Sequence, residues 1–133
     1  MTLEDKKKVV LDFFKTAFED KDPEKALKLY VGDYYRQHNP IVPDGKEAFA
    51  AYVKSRSAKN PGRKIFLKRL IAEDDLVVMH SHNVFAPGDE GYAGAPHGVA
   101  SINIFRLEKG KVVEHWDVRE VVPSEAVHQN TMF

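Results

Sequence analysis

A chain of 133 residues with no cysteine and 20 basic against 20 acidic side chains has the size of one ordinary domain, residues 1–133, and can bury a core without staples. The missing thiols exclude a disulfide framework and a zinc–thiolate site, and the charge balance leaves no basic stripe for nucleic acid. No run approaches a membrane span, and the opening MTLEDKKKVV lacks an apolar targeting core, so the expectation is a soluble, cytoplasmic protein without a membrane partner.

Thr2 and Asp5 make a capping-box pair ahead of Val9, Val10, Phe13, Phe14, Ala17 and Phe18 at helical spacing, which predicts an amphipathic helix ending near Asp20. Asp22-Pro23 restarts the chain as N-cap and first helical residue, Ala26, Leu27 and Tyr30 share one side, and Gly32 closes this second helix. Tyr34 to Pro40 is too polar for a core strand and ends on a proline that disfavours helix before it, so it predicts a short extended piece at a pocket rim. Asp44 with Glu47 caps a third helix carrying Ala48, Phe49, Tyr52 and Val53, and Asn60-Pro61-Gly62 ends the helical half.

From Lys64 the period becomes alternating, which predicts strands over Lys64–Ala72, Leu76–Phe85, Gly98–Leu107 and Lys111–Val121. The Gly- and Pro-rich stretch Ala86 to His97 is long for a hairpin connection and suits a lid or an interaction loop. Met132 and Phe133 leave an apolar end that docks on the body or on a partner chain. Helices followed by strands give an α+β fold: three helices on one face of a curved antiparallel sheet of four to six strands, enclosing a cone-shaped pocket.

The hairpin Ser101 to Val118 speaks most directly of function. A three-residue loop Glu108-Lys109-Gly110, with Gly110 at positive φ, pairs Leu107 with Lys111, Phe105 with Val113, Asn103 with His115 and Ser101 with Asp117. Asn103, His115 and Asp117 then share one face, and Ile102, Ile104, Val112, Trp116 and Val118 share the other. Since both faces carry apolar residues, one packs under helices and the other against a second copy of the chain. A two-residue loop at Lys109-Gly110 would instead set Asn103 beside Trp116.

Asp117 is the leading catalytic candidate, because a strand carboxylate facing apolar neighbours loses solvation and becomes a better base near neutral pH; the alternative is a carboxylate satisfied by Arg106 or Arg119. Asn103 can donate to a developing oxyanion or tie down a loop. His115 can orient Asp117 or shuttle a proton, or simply pack. His38 sits in the polar rim, where loop positions carry function disproportionately. Tyr35, Phe14, Phe18 and Phe105 are the substrate-contacting candidates. His80 and His82 form an H-x-H pair without a third ligand at helpful spacing, so no metal and no cofactor is expected. Phosphate-loop, dinucleotide and nucleophile-elbow motifs do not occur.

YRQHNP with the following P-D-G-K-E-A-F (Tyr35 to Phe49), IAEDDLVVMH (Ile71 to His80), IFRLEKGKVVEHWDV (Ile104 to Val118) and the terminal NTMF resemble the SnoaL-like proteins, polyketide-cyclase relatives within the nuclear transport factor 2-like fold. The resemblance implies the cone architecture, a homodimer through the sheet face that includes Trp116, and cofactor-free aldol cyclase, isomerase or lyase chemistry on a small carbonyl compound. It implies Asp117 as acid/base, with His38 and Asn103 at pocket positions; where many relatives carry Asp before I-F-R, this chain has Asn103. The alternative is a non-catalytic dimer that holds a small apolar ligand.

Overall fold

The computed structural model describes residues 1–133. Helix α1, Leu3–Phe14, starts on the expected capping box: the Asp5 amide donates to Thr2 Oγ1 at 3.1 Å and the Thr2 amide to Asp5 Oδ2 at 2.8 Å. Its continuation, Lys15–Glu19, winds as one π turn closed by the Asp20 amide on the Lys15 carbonyl at 2.9 Å. Helix α2, Pro23–Tyr30, is capped by Asp22 as anticipated. Gly32 does not close it, because the chain already enters a strand, β1, at Val31–Gln37. Helix α3, Lys46–Lys59, takes Gly45 as N-cap at φ 100 without a side-chain cap. Asp44 instead accepts the Gln37 amide at 2.7 Å, so its carboxylate ties the helix entrance to β1.

Strands β2 (Lys64–Glu73), β3 (Leu76–Val84), β4 (Val99–Glu108) and β5 (Lys111–Val121) complete a five-stranded sheet in the order β1-β5-β4-β3-β2. Neighbours are antiparallel except β1, which joins β5 in parallel, so the sheet is mixed where an antiparallel one was expected. The α+β layering is as anticipated: three helices cover one face of a curved open sheet. No helix is long and apolar enough to cross a membrane.

The β4–β5 turn differs from expectation in a way that cancels. Glu108 pairs with Lys111 around a two-residue turn, Lys109 at φ 50 and Gly110 at φ 76, the geometry whose twist suits a hairpin. One strand position further on, Leu107 pairs with Val112 and Arg106 with Glu114, so a bulge at Val113 absorbs one residue. Beyond it Phe105 faces His115, Asn103 faces Asp117 and Ser101 faces Arg119. The turn alone would have swung Asp117 to the wrong face; the bulge swings it back. Val112, expected on the outer face, lies on the helix side and is fully buried.

The core is built on Phe13, whose ring lies 5.4 Å from Phe49, 5.8 Å from Phe105 and 6.4 Å from Tyr35, with Val10, Val53, Val77, Met79 and Val112 around it. Each such side chain removed from water is worth about 1.5–3 kcal/mol. The 86–98 connection is pinned: Asp89 accepts the Gly62 and Ala86 amides at 2.8 and 2.9 Å, and Asn60 Oδ1 accepts the Gly91 amide at 2.8 Å. It braces the α3–β2 corner instead of hanging as a lid. The chain end docks on the outer sheet face, where Phe133 stacks on His82 at 4.1 Å and His80 Nε2 donates to the Met132 carbonyl at 2.9 Å.

Candidate functional site

Between the helices and the inner sheet face lies a cavity that opens to solvent. Strand alternation fills its floor. β4 turns Ser101, Asn103 and Phe105 inward, β5 His115, Asp117 and Arg119, and β3 Asn83. From β1 and its extension come Tyr35, Gln37 and Asn39, and the helices add an aromatic wall of Phe13, Phe14, Phe18, Phe49 and Tyr52. The π turn sets the Phe14 and Phe18 rings 4.5 Å apart on that wall.

Asp117 is half-buried here and makes no ion pair. Its carboxylate accepts from one side chain: Asn39 Nδ2 donates to Oδ1 at 2.9 Å and to Oδ2 at 3.1 Å. The Asn39 amide cannot turn over, because its own Oδ1 accepts the Ile41 amide at 3.0 Å. Neither Arg106 nor Arg119 bonds the carboxylate.

His115 is buried beside it, with its ring 4.9 Å from Phe105 and 6.2 Å from Tyr35. Nδ1 lies 2.8 Å from Gln37 Oε1, and that oxygen also accepts the Asn39 backbone amide at 3.0 Å. Gln37 therefore presents an acceptor, and Nδ1 carries the proton that it donates. Nε2 lies 2.8 Å from Asn103 Oδ1. Burial pushes the imidazole down to about 4, against the pull of the Asp117 carboxylate. A neutral ring with its proton on Nδ1 leaves Nε2 an acceptor, and its hydrogen bond with Asn103 then requires the side-chain amide turned over, NH2 in the place where Oδ1 stands.

The Tyr35 hydroxyl is held strongly in its protonated form, first by burial and then by the nearby Asp117 charge, so the cavity contains a neutral phenol donor next to a carboxylate acceptor. Further along the floor, Ser81 and Ser101 share a hydrogen bond at 2.8 Å and Asn83 Nδ2 donates to Ser101 Oγ at 3.0 Å.

His38 does not join this group. Alternation along β1 sends Tyr34, Arg36 and His38 to the outer face, where His38 Nε2 meets Glu114 Oε2 at 2.7 Å and its ring stacks on Trp116 at 4.7 Å and 6°. Arg106 Nε donates to the other Glu114 oxygen at 2.7 Å. Burial works to raise the Glu114 pKa, but the hydrogen bonds from His38 and Arg106 outweigh it and hold it below the ordinary carboxylate range. Of the residues singled out in sequence, Asp117, Asn103, His115, Tyr35, Phe14, Phe18 and Phe105 line one cavity; Gln37 and Asn39, which orient two of them, were missed. Both have the same parity as Tyr35, and that was the available signal. His80 is already engaged by Arg69 at 3.1 Å and by the Met132 carbonyl.

The SnoaL-like domain model matches residues 10–115. The fold is similar to TsrD from Streptomyces laurentii (TM-score 0.72, 22% identity, 90% of this chain and 91% of that one). It is also similar to a candidate polyketide cyclase from Acidithiobacillus ferrooxidans (TM-score 0.73, 20% identity, 90% and 92%). An NTF2-like protein of unknown function from Cytophaga hutchinsonii aligns with TM-score 0.65 at 15% identity, over 86% and 89% of the two chains. No curated protein matches the sequence.

Proposed function

The chain belongs to the SnoaL-like family, and we propose that it is a single-domain, cofactor-independent acid/base enzyme acting on a small carbonyl compound. The observation that carries this reading is the Asp117 carboxylate, free of any ion pair, held by Asn39 and facing an aromatic-walled cavity. A base in such a place takes a proton from the carbon next to the substrate carbonyl, and the electron pair moves onto the carbonyl oxygen as an enolate. The Tyr35 hydroxyl and the Asn103 amide are the donors suited to that oxygen. The proton on Asp117 is then returned, either to another carbon in an isomerisation or to the oxygen of a second carbonyl that the enolate carbon has attacked in an aldol ring closure. The related fold of a candidate polyketide cyclase supports the second course. Mere storage of an apolar ligand would use the aromatic wall but leave Asn39 and Asp117 without a task.

Asp117→Asn keeps the carboxamide hydrogen-bonded in place and is expected to fold normally while losing turnover of 1,3-dicarbonyl substrates. Undiminished turnover would remove Asp117 from the reaction.

The active form in this reading is a homodimer through the outer sheet face. Its support is the neighbouring row Ile102, Ile104, Trp116 and Val118 on β4 and β5, with Val118 74% exposed and Ile102 39%, an apolar surface of the kind that marks an interface.

A further inference from the structure

Arg36 lies 3.7 Å from Glu114, Arg106 bonds Glu114 and Glu108, and Arg69 bonds His80. Arg63 and Arg119 differ: both line the cavity and neither makes an ion pair or a side-chain hydrogen bond. Arg63 stands just before β2, half-buried, its guanidinium 5.5 Å from the centre of the Phe18 ring on the cavity wall. Arg119 lies two residues beyond Asp117 on the same face of β5, opposite Ser101. Arg56, in the last turn of α3, adds a third positive charge nearby, its buried Nε without a partner.

The charged side chains that line the cavity are thus Asp117, Arg63 and Arg119, since His115 is neutral at pH 7. The lining therefore carries one excess positive charge, in a chain whose formal charges cancel overall. The strain shows on Arg63, whose pKa is lowered first by burial and then by the like charges of Arg56 and Arg119; Tyr52 and Asp89 only partly oppose this. Asp89 Oδ1 and Oδ2 accept the Gly62 and Ala86 amides, and Asp89 makes no ion pair with Arg63. Unpaired, partly desolvated guanidinium groups gain most from a planar anion that takes two hydrogen bonds at once.

We propose that Arg63 and Arg119 together bind a carboxylate of the substrate, so that the cavity takes carbonyl compounds that are also carboxylic acids. This rests on the acid/base reading for the carbonyl half of the molecule only. Residues two apart on a strand are about 7 Å apart, which sets the substrate carboxylate a few bonds away from the C–H that faces Asp117. That spacing also keeps the two negative charges apart.

The test uses benzoate and its neutral isostere benzamide, titrated at constant ionic strength into the full chain labelled for the arginine Nε–Hε resonances. Benzoate is expected to shift the Arg63 and Arg119 signals and to bind about tenfold tighter than benzamide, a difference of one decade in Kd. The exposed Arg119→Gln loses part of that preference and Arg63→Gln/Arg119→Gln loses it all, with amide spectra reporting that each variant is folded. Asp117→Asn keeps the preference, so failure of this proposal and failure of the base are separately visible. Equal binding of the two probes, no shift of either arginine at about 20 mM benzoate, far above the range of a weak millimolar ligand, or a preference that survives in the folded double variant would each overturn the proposal.

Discussion

Asn39 Nδ2 donates to both oxygens of Asp117, at 2.9 and 3.1 Å, and the Ile41 amide on Asn39 Oδ1 prevents the donor from turning away. Asn39 is a positioning residue in this arrangement. Asn39→Ala removes a hydrogen bond to a charged group, worth about 1.5–3 kcal/mol, and is expected to lower kcat more than it raises KM. Asn39→Asp is the sharper variant: a second carboxylate at that spot disfavours ionisation of the pair, so the acid limb of the pH–rate profile moves to higher pH. An unmoved profile in Asn39→Asp would place Asn39 outside the proton-transfer machinery.

His115 gives the fold its own pH dependence. Its ordinary value is 6.5 and burial lowers it to about 4, so the folded state favours the neutral ring. That contribution is fully present above pH 6.5 and is lost as pH falls toward 4, where the folded ring also takes up a proton. It amounts to at most about 3 kcal/mol. His115→Gln, which cannot titrate, is expected to flatten the urea-midpoint profile between pH 6.5 and 4; a wild-type midpoint that stays level over that range, once the carboxylates are accounted for, would contradict the buried neutral ring.

On the outer face, Trp116 lies between His38, on which it stacks, and the apolar row toward Val118. Trp116→Ala is expected to weaken dimerisation, read as a fall in molecular mass by light scattering on dilution. The wild type and the variant sharing one mass over the whole concentration range would remove Trp116 from an interface.

The β4–β5 turn holds Lys109 at φ 50 followed by Gly110 at φ 76, and asparagine tolerates the first of these positions better than lysine does. Lys109→Asn is therefore expected to raise stability by roughly 0.5 kcal/mol. A measured loss would mean that the lysine does something the turn geometry does not reveal.

Much of this architecture was legible in the sequence because it rests on local chemistry. The Thr2–Asp5 cap, the Asp22-Pro23 restart and the β5 boundaries each follow from a few adjacent residues. The bulge at Val113 was not legible, since two buried valines in a row are as compatible with a straight strand, and only pairing with Arg106 and Leu107 shows the extra residue. The shared face of Asn103, His115 and Asp117 came out as expected for a reason other than the one first given: a shorter turn and a bulge compensate.

The rim segment was harder. Tyr35 and His38 have opposite parity, so a strand through them cannot present both to one cavity, and the polar character of Tyr34 to Pro40 hid that this extended piece pairs into the sheet. Once it pairs with β5 through Gln37 and His115, alternation brings Gln37 and Asn39 inward with Tyr35 and carries His38 out to Glu114. Polarity at both faces had masked the period.

The central claim is that Asp117 moves a proton at a carbon next to a carbonyl, and deuterium incorporation tests it without knowledge of the natural substrate. 3-Benzoylpropionate, a keto acid with an acidic CH2 beside its carbonyl, is incubated in D2O with the wild type and with Asp117→Asn, and exchange at that CH2 is followed by NMR. The account predicts exchange above the buffer rate for the wild type and a fall of about 10²- to 10⁴-fold in the variant, the usual range for a general base. Equal exchange by the two proteins, or a wild-type rate no faster than buffer, would contradict it.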